Sequence, residues 1–116
     1  MSMLKGFIGA ALLSVAAAAQ AHTHLKAATP ADGSTVQSSP ERITLTFSEA
    51  ARVTALTIQK DGGREQKLTP LPADSAAQVS VPAPKLAPGK YTVSWRVVSE
   101  DSHIMSGKLH FTVAGA

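Results

Sequence analysis

Apolar residues in this chain recur at every second position, in short runs separated by Pro, Gly, Asp and Ser. That period places one side of each run on a buried face of a strand, and it forbids an amphipathic helix. Tyr91, Val93, Trp95 and Val97 share one parity, as do Leu109, Phe111 and Val113, and both sets are expected to face a core. Ile43, Leu45 and Phe47 alternate with Thr44 and Thr46, which predicts a half-buried strand. Leu56 and Ile58 continue in a strand that ends at Asp61-Gly62-Gly63, a hairpin signal. Residues 24–29 read as the first strand, Pro30-Ala31-Asp32-Gly33-Ser34 and Pro88-Gly89 as turns, and Val79 and Val81 as the marks of a short strand. Pro70, Pro72, Pro82 and Pro84 confine residues 68–84 to edges and loops. The expectation is an all-β chain: a single Ig-like or cupredoxin-like Greek-key β-sandwich or barrel of about seven strands. The Cys…Trp…Cys spacing of antibody domains is absent, so the pattern speaks to architecture alone.

Residues 1–21 read as a cleaved secretory signal peptide. Lys5 supplies the positive start, residues 6–19 carry no charge, and Ala19-Gln20-Ala21 is a small-x-small cleavage pattern. The apolar run falls short of the roughly 20 residues that span a bilayer, which argues against a retained anchor. Residues 22–116 then form the mature domain, 95 of the 116 residues, a size that suits one domain. Loss of Lys5 with the leader lowers the formal charge from +3 to +2. The basic residues are scattered and only Tyr91 and Trp95 offer stacking rings of the usual amphipathic kind, so a nucleic-acid role is not expected. Cysteine is absent, so an exported fold of this sequence relies on its apolar core rather than on disulfides.

The histidines carry the chemistry. Cleavage after Ala21 makes His22 the first mature residue, with a free α-amine and an imidazole that close a chelate ring on one ion. The amine titrates near roughly 7.7–8.0, so a metal displaces its proton at neutral pH. Asp101 and His103 are two residues apart, and an extended segment presents both on one face. Three nitrogens and an oxygen in a tetragonal arrangement favour Cu(II); Zn(II) prefers tetrahedral ligands and binds the same set more weakly. His24 offers a rival geometry, in which the free amine, two amide nitrogens and the His24 imidazole wrap Cu(II) in a floppy tail. That mode fails if residues 24–29 commit their amides to a sheet; His24 is then a strand residue or a support for the site. His110 has the parity opposite to the core and reads as an exposed strand histidine. Glu49, after Phe47-Ser48, is either a weak ligand or hydrogen-bond acceptor of the site or a solvated turn carboxylate. Trp95 lies a few residues before Asp101, near enough for bound Cu(II) to quench its emission.

These residues resemble the CopC/PcoC family of periplasmic copper-resistance and copper-homeostasis proteins. The matching stretches are His22-Thr23-His24-Leu25, Ala28-Thr29-Pro30-Ala31-Asp32-Gly33-Ser34, Leu45-Thr46-Phe47-Ser48-Glu49 and Gly89-Lys90-Tyr91-Thr92-Val93-Ser94-Trp95. Ser99-Glu100-Asp101-Ser102-His103, Ser106-Gly107 and Phe111-Thr112-Val113 follow in order. The resemblance implies a small Greek-key barrel or sandwich with a Cu(II) site built from His22, Asp101 and His103. Glu49 matches a family acid sometimes placed near the copper. The methionine-rich loop of some members is missing, since residues 68–84 contain neither Met nor Cys. The expectation is therefore one Cu(II) per chain and no cuprous site, with Met105 as a packing residue. Ile104-Met105 also stands after His103 where the family commonly has a proline. The implied role is a monomeric periplasmic Cu(II) carrier or buffer, not an enzyme, which delivers to an inner-membrane copper transporter of the CopD type. Two rivals from other classes remain open at this point: a copper-dependent oxidative enzyme with a histidine brace, and a metal-free β-sandwich interaction module.

Overall fold

The computed structural model describes residues 24–115, which form seven strands and no helix. They are β1 (Leu25–Thr29), β2 (Ser34–Val36), β3 (Arg42–Lys60), β4 (Glu65–Lys67), β5 (Ala76–Pro82), β6 (Gly89–Ser99) and β7 (Ile104–Val113). The expected all-β class and strand number hold. The proposed leader and His22 lie outside the described residues.

The strands make one sheet curled on itself, in the order β1-β3-β6-β7-β2, with β4 and β5 also paired to β3. The curl is produced by β3, which does not stop near Ser48 as the sequence pattern implies but continues to Lys60, 19 residues in all. It changes partners instead. Its first part pairs with β1 and β5, from Thr29↔Thr44 to Leu25↔Phe47 and from Arg42↔Pro82 to Thr46↔Gln78. Its second part pairs with β6 and β4, from Ala51↔Ser99 to Lys60↔Tyr91 and from Thr57↔Lys67 to Gln59↔Glu65.

A bulge at Thr54 sets the side-chain direction in that second part. Val53 faces Val97 and Ala55 faces Arg96, so Thr54 is the extra residue, and its hydroxyl donates to the Arg96 carbonyl at 3.2 Å. One inserted residue reverses the alternation. This is why Ile43, Leu45, Phe47, Ala51 and Val53 are buried at odd positions whereas Leu56 and Ile58 are buried at even ones.

The core also takes Val79 and Val81 from β5, Tyr91, Val93, Trp95 and Val97 from β6, and Leu109, Phe111 and Val113 from β7, as their parity predicts. Tyr91 stacks on Phe111 at 5.7 Å, and its buried hydroxyl donates to the Ala87 carbonyl at 2.6 Å. Burial raises the Tyr91 pKa, and the phenol stays a neutral donor. Phe47 meets Trp95 edge-on at 6.4 Å.

One element was not legible in the sequence. Ser34–Val36 forms β2, parallel to the end of β7 through Ser34↔Phe111 and Val36↔Val113. The Pro30–Ser34 turn thus carries the chain from one sheet edge to the other, with Gly33 at φ +79° and the Asp32 carboxylate accepting the His110 amide at 2.8 Å.

Candidate metal-binding site

β6 and β7 are joined by the loop Glu100-Asp101-Ser102, closed by Ser99 and His103. The Ser99 amide donates to the His103 carbonyl at 2.9 Å, and the Ser102 amide donates to the Ser99 carbonyl at 2.9 Å. Ser102 has φ +69°, the left-handed conformation that the third residue of such a hairpin loop adopts. The segment is therefore a tight turn and not the extended run from which Asp101 and His103 were expected to share a face. They do meet, but by turn geometry.

His103 Nδ1 lies 3.1 Å from Asp101 Oδ2, with side chains 61% and 65% exposed. Two donors about 2.1 Å from one ion, at an angle near 90–110°, stand about 3.0–3.4 Å apart. The pair already has the bite of two neighbouring ligands of a first-row divalent cation. Its imidazole nitrogen and carboxylate oxygen are the donor types such an ion takes. The other carboxylate oxygen, Oδ1, accepts a hydrogen bond from the Ser99 hydroxyl. That bond holds the Asp101 carboxyl below its ordinary value of 3.8. Slight desolvation opposes it, and the charge on His103 and the amides of Asp101 and His103 assist it. The carboxylate is thus ionised wherever a metal would be bound.

Glu49 borders the same corner. It lies on β3 just before Ala51, the partner of Ser99, and shares with Ala50, Ser99, Glu100 and Asp101 a cleft of about 160 Å³. Parity alone would turn Glu49 into the core, but β3 changes partners here and the side chain is exposed. His24 precedes β1 directly. Its amide donates to Ser48 Oγ at 3.0 Å and its carbonyl accepts the Ser48 amide at 2.8 Å. The His24 amide is therefore engaged with the β3 corner, although the strand expected over residues 24–29 begins at Leu25. With Leu25, Phe47, Trp95, Val97, Met105 and Ser106, His24 also lines an apolar cleft of about 110 Å³. Met105 packs against the core, as expected.

His110 is exposed and sits opposite Thr92, whereas Ile104, next to His103, sits opposite Val98. Six residues of strand separate the two rungs, about 20 Å at 3.4 Å per residue, so His110 takes no part in this site. Among the described residues, no group of three or more His, Cys, Asp or Glu side chains is placed to hold a metal ion. Asp101 and His103 form a pair, and the third expected ligand, His22, lies outside the described residues. Sequence reasoning gave Ser99 no role, although a signal was present: it continues the inward parity of Tyr91, Val93, Trp95 and Val97 with a polar residue.

The CopC domain family model matches residues 25–114. Copper resistance protein C of Escherichia coli is 36% identical over an alignment of 127 positions, gaps included, covering 97% of this chain and 99% of that protein. Protein YobA of Escherichia coli K12 is 38% identical over 98 residues, with 80% and 79% covered. Among solved structures, CopC from Methylosinus trichosporium OB3b superposes with a TM-score of 0.73 at 32% identity, covering 81% of this chain and 95% of that one. PcoC, a methionine-rich copper resistance protein from Escherichia coli, gives 0.58 at 33% identity, with 80% and 99% covered.

Proposed function

The chain belongs to the CopC domain family, a family of copper-binding resistance proteins. From that premise we propose that it is a periplasmic carrier or buffer that holds one Cu(II). The ion is held by the amine and imidazole of His22 together with Asp101 and His103. The observation that carries this reading is the Asp101–His103 pair, set at 3.1 Å by the turn between β6 and β7. The direction of β1 supports the third ligand. Traced backward, β1 climbs β3 from Thr44 through Leu45 to Phe47, and His24 then bonds Ser48. The described chain therefore starts two residues from His22 and heads toward Ala51, the rung partner of Ser99.

Capture exchanges protons for metal. The α-amine and both imidazoles must be neutral to bind, so acid releases the ion. Asp101 contributes a negative charge that needs no deprotonation near neutrality. Glu49, in the adjoining cleft, supplies a further carboxylate at the rim. Residues 1–21 direct export as a cleaved leader, the protein acts as a monomer, and the cargo passes to an inner-membrane transporter of the CopD type.

The test is to express the processed protein, fix its first residue by mass, and titrate Cu(II) while following Trp95 emission. One equivalent should bind, and one extra residue before His22 should weaken binding greatly. The same titration tests the rivals. Reductant-dependent hydrogen peroxide formation by the copper form would mark an oxidative enzyme, and absence of stoichiometric binding would mark a metal-free module. A mature chain that begins elsewhere than His22 and binds one Cu(II) equally well overturns the proposed ligand set.

A further inference from the structure

Ser99 is the one polar residue buried among the described residues, at 8% exposure. It holds the last inward position of β6, where the pattern of Tyr91, Val93, Trp95 and Val97 would continue with another apolar residue. A buried hydroxyl must find partners, and all of those of Ser99 lie in the turn. Its single proton goes to Asp101 Oδ1. Its oxygen accepts the His103 amide at 3.2 Å. The His103 carbonyl lies 3.3 Å from the same oxygen but takes its hydrogen from the Ser99 amide at 2.9 Å. The Ser99 carbonyl accepts the Ser102 amide.

We propose that Ser99 is the positioning residue of the metal pair: by engaging Oδ1 of Asp101 and the amide of His103 from below, it fixes Oδ2 opposite Nδ1 before any ion arrives. The inference rests on the copper reading of Asp101 and His103. An exposed aspartate is otherwise free to turn about its side-chain bonds, and an ion that orders it must supply that entropy. Here the carboxylate is held at one oxygen by the buried Ser99 hydroxyl while the other lies 3.1 Å from His103 Nδ1. The same contacts hold Ser102 in its left-handed conformation, which a residue with a Cβ keeps only where its surroundings impose it. The turn is thereby a preset clip, and the apolar core is its base.

The decisive comparison is Ser99→Thr against Ser99→Val, which differ only in a hydroxyl against a methyl and so separate the hydrogen bond from packing. The metal-free readout is amide hydrogen exchange at His103. The loaded readouts are the Cu(II) dissociation constant from chelator competition and the Cu(II) electron paramagnetic resonance spectrum. The threonine protein should resemble wild type. The valine protein should exchange faster at His103, bind Cu(II) about 10–100-fold more weakly, as loss of a ligand-supporting partner does, and give an altered spectrum. Ser99→Ala should follow valine. Equal exchange, affinity and spectrum in the threonine and valine proteins would reduce Ser99 to a packing residue and leave the copper site standing. Wild-type Cu(II) affinity that is indifferent to both Asp101→Ala and His103→Ala would instead remove the site itself, and the role of Ser99 with it.

Discussion

Gly107 is the rung partner of Trp95 across β6 and β7, and the indole fills the space a side chain at 107 would need. A Cβ there would stand 2.5 Å from Trp95 Cζ2 and 2.7 Å from Cε2. Gly107→Ala must push the ring off Phe47 or bend the strand. Overpacking of this kind costs about 1–3 kcal/mol, and each kcal/mol lowers the melting temperature of a domain this size by roughly 4–8 °C. Thermal melting and Trp95 emission check it together: the midpoint should fall and the emission should move to the red. An unchanged midpoint with unchanged emission would show that the ring yields at no cost.

Asp101→Asn and His103→Gln keep shape and remove a ligand. Both side chains are exposed and Asn keeps an oxygen for the Ser99 hydroxyl, so far-UV circular dichroism of the metal-free protein should match wild type, with only a small fall in melting midpoint for Asp101→Asn. Cu(II) affinity should drop by more than about tenfold in each, the lower bound for losing even a supporting residue. Competition with a chelator of known affinity measures it. A variant that loses no affinity does not ligate.

The pH dependence has two separate windows. The Asp101 carboxyl is held below 3.8, chiefly by the Ser99 hydroxyl. A depressed carboxylate stabilises the fold above its unfolded value and loses that contribution as pH falls through its folded value. The Asp101 contribution is therefore complete at pH 5 and above and fades in the acid range below 3.8. Carboxyl-carbon NMR titration should place the midpoint below 3.8 in wild type and higher in Ser99→Ala. Copper release follows a different exchange, because the amine and imidazoles must give up protons to bind the ion and take them back when it leaves. A Cu(II) affinity that holds constant from pH 8 to pH 5 would contradict amine and imidazole ligation.

Deletion of Thr54 offers a test of the bulge. The ladder would close directly from Val53↔Val97 to Ala55↔Arg96 with regular alternation, and Leu56 and Ile58 would stay on the inward face. Deleting Ala55 as well would reverse every later side chain of β3, and exposure of Leu56 and Ile58 forfeits about 1.5–3 kcal/mol each, a large share of the roughly 5–15 kcal/mol typical of a domain. The single-deletion protein should melt cooperatively, whereas the double-deletion protein should not. A cooperative, wild-type melt of the double-deletion protein would mean that alternation past the bulge does not place Leu56 and Ile58 in the core.

What the sequence revealed and what it concealed follow from the range of the forces involved. The inward faces of β6 and β7 were legible because side chains on a strand alternate whatever its partners are. The hairpin at Asp61-Gly62-Gly63 was legible because glycine marks positive φ, and Gly62 has φ +76°. The continuation of β3 past Ser48 was not, because nothing local distinguishes a strand that ends from one that exchanges partners. β2 was missed because three residues paired in parallel to a distant strand carry no periodic signal. Asp101 and His103 are legible as an oxygen and a nitrogen donor, and the turn brings them to 3.1 Å. The extended segment invoked to join them was wrong, because the left-handed residue in the turn is a serine, and a serine does not announce that conformation.

The two-sided pairing of β3 bears on how this molecule comes apart. A single 19-residue strand supplies backbone partners to both halves of the curled sheet, so neither half retains a complete ladder once the other is lost. Denaturation should proceed as one all-or-none event, with the slowest-exchanging amides spread along β3 on both sides of its corner rather than gathered in one subregion.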